Sequence, residues 1–210
     1  MKRVILFGAP GSGKGTQAEA IEKRFGYVKV STGDLIRAEV RMQSKIGLEV
    51  KATIDKGELI PDHVILGLLK KRLQKDDILN GYIVDGFPRT LAQAIELSQM
   101  KVDSEIAIYL KIGNESVIVQ RLLSRLTCPR CNAIFSMINN PPKVEGVCDS
   151  CGIALRQRTD DNAETIRNRI SIYREQTKPV ISYYREKGML MEIDASLPVE
   201  SVFKQIEEIL

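Results

Sequence analysis

The sequence is poor in histidine and has no long apolar run. Its one histidine, His63, follows Asp62 at an expected helix start and is read as a surface residue outside the chemistry. No stretch approaches the ~18 consecutive apolar residues of a membrane span, so no membrane partner is expected. The opening stretch Met1–Phe7 begins with charge, but its apolar run is short and enters Gly8-Ala9-Pro10-Gly11. It fits a buried strand better than a signal peptide, and with no targeting segment a cytoplasmic location is expected. Internal repeats and low-complexity tracts are absent. A net charge of +4 is too mild to argue for nucleic acid. Cysteine is missing everywhere except between positions 128 and 151, which holds all four. A disulfide-stapled secreted chain would spread them through the fold, whereas a tight cluster suits metal binding.

What is present is a globular composition: 43% hydrophobic and 28% charged residues over 210 positions. That length suits one full core with small insertions. Short apolar runs at Val4–Phe7, Val28–Ser31, Tyr82–Val84, Ile106–Leu110 and Met189–Ile193 suggest strands. Helical patterns lie between them, from Gly13, after Pro61-Asp62, after Thr90, after an Asn114 cap, from about Glu164 to Lys187 with a bend at Pro179, and after Pro198. In the helix after Thr90, Leu91, Ala94, Ile95 and Leu97 are the apolar set. The alternation predicts an α/β fold, a doubly wound parallel five-stranded sheet with helices on both faces. Two segments break the rhythm, polar helical residues 32–61 and cysteine-bearing residues 126–162, and both are expected to stand on the core as insertions.

Gly8-Ala9-Pro10-Gly11-Ser12-Gly13-Lys14-Gly15-Thr16 follows an apolar strand and opens a helix, the context of a phosphate-binding loop. Its glycines let backbone N–H groups turn toward phosphate oxygens, and Lys14 adds a full charge. Gly15 separates the lysine from the hydroxyl residue, a departure shared with nucleoside monophosphate kinases. Ser31-Thr32-Gly33-Asp34-Leu35-Ile36-Arg37 offers Thr32 as a helix cap and Arg37 as an anion ligand further along. Gly57-Glu58-Leu59-Ile60-Pro61-Asp62 can be simply a helix end, a turn and a new cap. In Asp85-Gly86-Phe87-Pro88-Arg89-Thr90, Asp85 ends a strand where a carboxylate can hold Mg²⁺ through water. Gly86 permits close approach of a ligand, and Arg89 presents a phosphate-sized fork at a helix start where its charge opposes the dipole. Gln93 has an amide able to pair with adenine. Arg121, Arg125, Arg158, Arg167 and Arg169 flank the cysteine segment, with Arg158-Thr159-Asp160-Asp161 at its return.

Cys128-Pro129-Arg130-Cys131 and Cys148-Asp149-Ser150-Cys151 have the spacing of a four-cysteine zinc site. Asn132 and Gly152 follow the second cysteine of each pair, and both tolerate the left-handed turn such a site needs. An all-thiolate shell leaves no open coordination position, so the metal is expected to be structural Zn²⁺. A redox CxxC pair is the alternative. The cysteine-bearing insertion has little to bury, only residues such as Ile134, Phe135, Ile138, Val144 and Val147, so a metal clamp suits it.

Taken together, these motifs resemble adenylate kinase over essentially the whole chain, in its bacterial form with a long zinc-containing lid. The resemblance implies a CORE of residues 1–30, 61–124 and 163–210, an AMP-binding insertion at 31–60 and a lid at 125–162. It implies that Gly11, Ser12, Gly13, Lys14, Gly15, Thr16, Arg125, Ile134, Phe135 and Leu197 bind ATP, and that Asp85 holds Mg²⁺ through water. It assigns AMP to Thr32, Arg37, Glu58, Leu59, Ile60, Gly86, Phe87, Arg89, Gln93, Arg158 and Arg169. Lys14, Arg37, Arg89, Arg125, Arg158 and Arg169 would serve catalysis, and Cys128, Cys131, Cys148 and Cys151 would hold Zn²⁺. ATP, AMP and ADP are the expected partners of a monomer. Many relatives carry Arg where this chain has Leu126, and a Tyr-His pair where it has Phe135-Ser136. The nucleophile would be an AMP phosphate oxygen, already anionic, so no histidine base is required. Two rivals stay open: a kinase for UMP, CMP or GMP, and a zinc-ribbon nucleic-acid module joined to an ATPase fold. Against the second stands a lid with no basic and aromatic clustering, and with Glu145, Asp149, Asp160 and Asp161 in or beside it.

Overall fold

The computed structural model describes residues 1–210. Strand β1, Lys2–Gly8, lies at the centre of a five-stranded parallel sheet. Its neighbours are β3, Tyr82–Asp85, and β4, Ser104–Lys111, with β2, Val28–Ser31, and β7, Leu190–Asp194, at the two edges. Successive β1 side chains serve opposite faces. Ile5 and Phe7 join one buried cluster, Val4 and Leu6 the other. Burial on both faces explains the unbroken apolar run, as in parallel sheets generally.

Helices α1, Lys14–Phe25, and α9, Val199–Ile209, cover the Val4 face through Ala18, Ile21, Val202 and Ile206. On the Ile5 face pack α2, Thr32–Arg41, α3, Lys45–Asp55, α4, Asp62–Arg72, α5, Leu91–Gln99, and α8, Lys178–Glu186. A third cluster joins Ala9 to α6, Glu115–Leu123, and α7, Ala163–Ile172, through Ile118, Leu122, Ile166 and Ile170. At the sheet end away from the phosphate loop, Arg3 is 1% exposed, yet its guanidinium bonds Glu105, Tyr82 Oη and the carbonyls of Leu97 and Met100. A buried charge is tolerated when so fully paired.

The strands begin and end close to where the apolar runs place them, and four details differ. Ser31, not Thr32, caps α2, its hydroxyl accepting from Asp34 N–H at 3.3 Å. Thr32 is thereby freed to donate to the carbonyl of Gly86 at 3.0 Å, tying the end of β2 to the end of β3. Pro61 occupies the cap of α4 and Asp62 is its first residue. The Glu164–Lys187 pattern divides into α7 and α8 around a π-helical stretch, Tyr173–Thr177. Pro179 would clash with the carbonyl of Glu175 in a regular helix, and the wider stretch accommodates it. In α5, Ala94 and Leu97 are buried while Leu91 and Ile95 are exposed, because the short helix turns only one side inward.

The cysteine segment carries an antiparallel pair, β5, Arg125–Thr127, and β6, Ile134–Ser136. Its small core consists of Cys128, Phe135 and Cys148, with Leu126, Ala133, Cys151, Ile153 and Leu155 against it. Ile138 and Val144, expected inside, are 60% and 62% exposed. Ile153 and Leu155 lie on the returning segment, bridged to the hairpin through Thr127 and Arg156, and take that place.

Candidate active site

The sheet order reverses direction at β1: the chain moves to β2 and β3 on one side, then to β4 and β7 on the other. Ligands of open parallel sheets bind beyond the strand C-termini at such a switch point. Here β1 runs into the loop 8–16. Gly11 and Gly13 have φ of 76° and 94°, which closes the loop ahead of α1 and is open to glycine without strain. Lys14 Nζ donates to the carbonyls of Gly8 and Ala9, both at 2.8 Å. Burial pulls the Lys14 ammonium down to about 8; Asp85 opposes this, while Arg89, Arg169 and Arg125 add to it. Such a site is short of negative charge. A polyanion would relieve the crowding and restore full protonation.

Above the loop is an open cleft. Beside it is a second, smaller chamber. Gly11 to Thr16, Asp85, Phe87, Arg125, Ile134, Phe135, Arg158 and Leu197 line the first. Thr32, Glu58, Ile60 and Gln93 line the second. Arg37, Arg89 and Arg169 line both, with Leu59 and Gly86, so the chambers meet at three guanidiniums. All the residues that the sequence assigned to ATP, AMP and catalysis therefore border one or other chamber. Two adjoining chambers that share a wall of guanidiniums suit two anionic ligands set side by side.

Carboxylates hold the arginines in place. Arg37 pairs with Asp34 at 2.6 Å, and Arg169 with Asp160 at 3.0 Å and Asp161 at 3.2 Å. Arg125 grips Asp161 with two donors, Nε at 2.7 Å. Arg89 Nε donates to the carbonyl of Gly86 at 2.8 Å. Arg158 donates from Nε to Thr127 Oγ1 at 3.1 Å, across the lid. Burial lowers the proton affinity of Arg89, Arg158 and Arg169, and neighbouring arginines add to it at each. For Asp160 burial works the other way, but Arg169 and its neighbours prevail and hold the carboxyl below the usual range.

The cysteine segment, the expected lid, meets the loop directly. A Cβ built on Gly15 would lie 2.6 Å from Ile134 Cδ1, so glycine gives the lid tip its room. The same point is 3.6 Å from Asp85 Oδ2 and 4.0 Å from Lys29 Nζ. Asp85 and Thr16 thus present hard oxygen donors beside the phosphate loop, a set that suits Mg²⁺. Phe135 both borders the cleft and packs among the lid cysteines. Ser136 Oγ lies 2.9 Å from Ser124 Oγ and belongs to the lid base.

Gln93 is 2% exposed, and its amide is already partnered. Oε1 accepts from Arg89 N–H at 2.7 Å, and Nε2 donates to Asp62 Oδ1 at 2.5 Å. Thr90 caps α5 by accepting from Gln93 N–H at 3.2 Å. Thr90 and Gln93 form a capping arrangement readable from their three-residue spacing, which sequence reasoning passed over.

Other residues were missed as cleft lining: Gln17, Lys29, Asp34 and Tyr173; Arg121, singled out with the arginines flanking the cysteine segment, lines it too. Asp34 was visible as a carboxylate three residues before Arg37 on one helix. Lys29, 3.1 Å from Glu19, had no such signal. Arg121 donates to the carbonyl of Ala195 at 2.9 Å. Arg167 is exposed and borders neither chamber. His63 is exposed too.

The four cysteines form a second centre. Their sulfurs lie within 4.8 Å of one another, with Cys131 and Cys148 3.6 Å apart. A disulfide needs about 2.05 Å. Four thiolates about 2.3 Å from one zinc ion would stand ~3.8 Å apart. The donor set therefore fits a tetrahedral metal. Each knuckle turns through a left-handed residue, Asn132 with φ 60° and Gly152 with φ 66°. Asn132 N–H returns to the Cys128 carbonyl at 3.0 Å and Gly152 N–H to that of Cys148 at 2.8 Å.

Comparison with known proteins bears on the whole chain. The family described as adenylate kinase matches residues 6–189. A curated relative from Archaeoglobus fulgidus, named adenylate kinase, is 44% identical over 99% of this chain and 97% of its own length. Another of that name from Methanosarcina mazei is also 44% identical, again over 99% of this chain and 97% of its own. One from Clostridium beijerinckii is 42% identical over 99% of this chain and 98% of its own.

Proposed function

The chain belongs to the adenylate kinase family, whose reaction is the reversible transfer of the γ-phosphate of ATP to AMP; on that premise we propose how its own residues divide the work. ATP lies in the larger chamber, its phosphates on Gly11 to Thr16 and its base toward Ile134, Phe135 and Leu197. AMP lies in the smaller one, among Thr32, Glu58, Leu59, Ile60, Gly86, Phe87 and Gln93. The meeting of the chambers at Arg37, Arg89 and Arg169 carries this reading, since it sets donor and acceptor phosphates face to face between fixed cations.

The attacking group is an AMP phosphate oxygen, already ionised, so the protein positions and neutralises and takes no proton. Arg37 and Arg89 hold the acceptor phosphate. Lys14 follows charge on the donor side as the bond to the leaving ADP breaks, and Arg169 spans both sides. Arg125 and Arg158 complete the ring from the lid. Residues 31–60 act as the AMP-binding insertion and 125–162 as the lid, and their closing excludes water as a competing acceptor. Mg²⁺ would be held through water by Asp85, where it neutralises the polyphosphate. Zn²⁺ would be held by Cys128, Cys131, Cys148 and Cys151, where it fixes the lid fold. No helix is long and apolar enough to cross a membrane, and we take the enzyme to act as a cytoplasmic monomer.

Single replacements test the assignment. Lys14→Ala and Arg89→Ala should each lower turnover by orders of magnitude with the fold intact, as loss of one transition-state contact is worth ~3 kcal/mol or more. A near-normal rate in either variant, with native circular dichroism, removes that residue from the mechanism.

A further inference from the structure

We propose that Asp62 is a specificity-determining residue: with the backbone N–H of Arg89 it fixes which end of the Gln93 amide donates and which accepts, restricting the acceptor to a 6-aminopurine. This rests on the reading that Gln93 faces the acceptor base. A primary amide has two N–H donors and two acceptor lone pairs. The chain uses one of each, Nε2 to Asp62 Oδ1 at 2.5 Å and Oε1 from Arg89 N–H at 2.7 Å. One donor and one acceptor remain for the smaller chamber, which Gln93 lines. That is the pair needed by adenine, whose exocyclic amino group donates and whose adjacent ring nitrogen accepts.

The two internal partners also prevent the amide from turning over. A carboxylate can only accept and a backbone N–H can only donate. Reversal would set Oε1 against the Asp62 oxygen and Nε2 against the Arg89 N–H. Gln93 is 2% exposed, so water cannot relieve those contacts. A 6-oxopurine presents the opposite pattern, an acceptor oxygen beside a ring N–H. A freely turning amide would suit either base. A fixed one opposes the second, the repulsive element that specificity requires. Asp62 is itself held, as the first residue of α4 with Thr90 Oγ1 3.4 Å from its other oxygen. It borders neither chamber and so acts through Gln93.

The test compares native protein, Asp62→Asn and Gln93→Leu. Rates with AMP and with inosine monophosphate, calorimetric binding of both, KM for ATP and the thermal midpoint are measured. Asparagine keeps the shape of Asp62 but can donate or accept, so one of the two contacts that oppose reversal is lifted and only the Arg89 N–H still opposes it. Asp62→Asn should narrow the preference for AMP over inosine monophosphate by about tenfold or more, through tighter inosine monophosphate binding, with KM for ATP unmoved. An unchanged ratio, or an equal loss with both nucleotides, while Gln93→Leu still selectively weakens AMP, overturns the inference and leaves Gln93 as base reader. Native AMP binding by Gln93→Leu removes the base reading and this inference with it. Should Asp62→Asn melt below the assay temperature, Asp62→Ser also removes the obligate acceptor and carries the same comparison.

Discussion

Arg125 and Asp161 join the two ends of the lid: two guanidinium nitrogens of the first grip both carboxylate oxygens of the second, Nε at 2.7 Å. The Asp161 side chain is fully buried and also accepts from Arg169 at 3.2 Å. One carboxylate thus orients two of the arginines that line the cleft. Asp161→Ala would strand the Arg125 charge and leave Arg169 to Asp160 alone, and breaking such a buried pair costs about 3–5 kcal/mol. Denaturant melts should show that loss, with kcat reduced more than KM for ATP. A native midpoint would deny the pair its role.

Lys14 sets a pH dependence. An unfolded lysine holds its proton to about 10.4, whereas in the folded chain burial pulls it down to about 8. Between these values the unfolded state binds more protons, so this group makes stability rise with pH; below about 8 its buried charge is a steady cost. ATP binding moves the opposite way, because phosphate needs the ammonium. ATP affinity should fall above pH 8, toward about tenfold per pH unit, while the ligand-free midpoint is not lowered by this group. Calorimetric titrations at pH 7, 8 and 9 would show it, and Lys14→Arg should bind without that break.

Gly47 is the close contact within residues 31–60, the proposed AMP-binding insertion. A Cβ there would overlap the carbonyl of Glu39, where α3 packs against the end of α2. Gly47→Ala should cost about 1–3 kcal/mol as overpacking. It should weaken AMP more than ATP in equilibrium binding, since α3 and the buried side of α2 line the smaller chamber while the larger one takes only Gly33, Asp34 and Arg37 from α2. Equal loss of both would argue against an independent insertion.

The cysteine centre yields a metal-removal test. With so few buried apolar residues, the lid cannot offset its own chain entropy. Metal analysis should give one zinc per chain. A thiol-directed chelator should lower the thermal midpoint and slow turnover while the sheet stays folded. Metal-free protein with intact thiols and an unchanged melt would sink the structural role, and inactivation with the lid still folded would point to a catalytic metal.

The legible parts of the molecule were local ones. The phosphate loop, the cysteine knuckles and the central strands keep their chemistry within a few consecutive residues. Choices set by distant partners could not be read. Ser31 and Thr32 can both cap a helix, and the pairing of Ser31 with Asp85 decides between them by bringing Thr32 to the Gly86 carbonyl. Ile138 and Val144 look as apolar as Ile153, yet the returning segment determines which is covered. Gln93 could be read from the sequence as a candidate for the base, but its pairing with Asp62 joins residues 31 positions apart. Lys29, Gln17 and Tyr173 reach the cleft from three separate elements, with no shared pattern to announce them.

The central claim is that the two chambers present ATP and AMP to one another across Arg37, Arg89 and Arg169. Its most direct test is ADP formation from Mg·ATP with AMP, GMP, UMP and CMP as acceptors at equal concentration. The account predicts two ADP for each ATP and AMP consumed, with AMP preferred by orders of magnitude. A higher rate with UMP, CMP or GMP would contradict it.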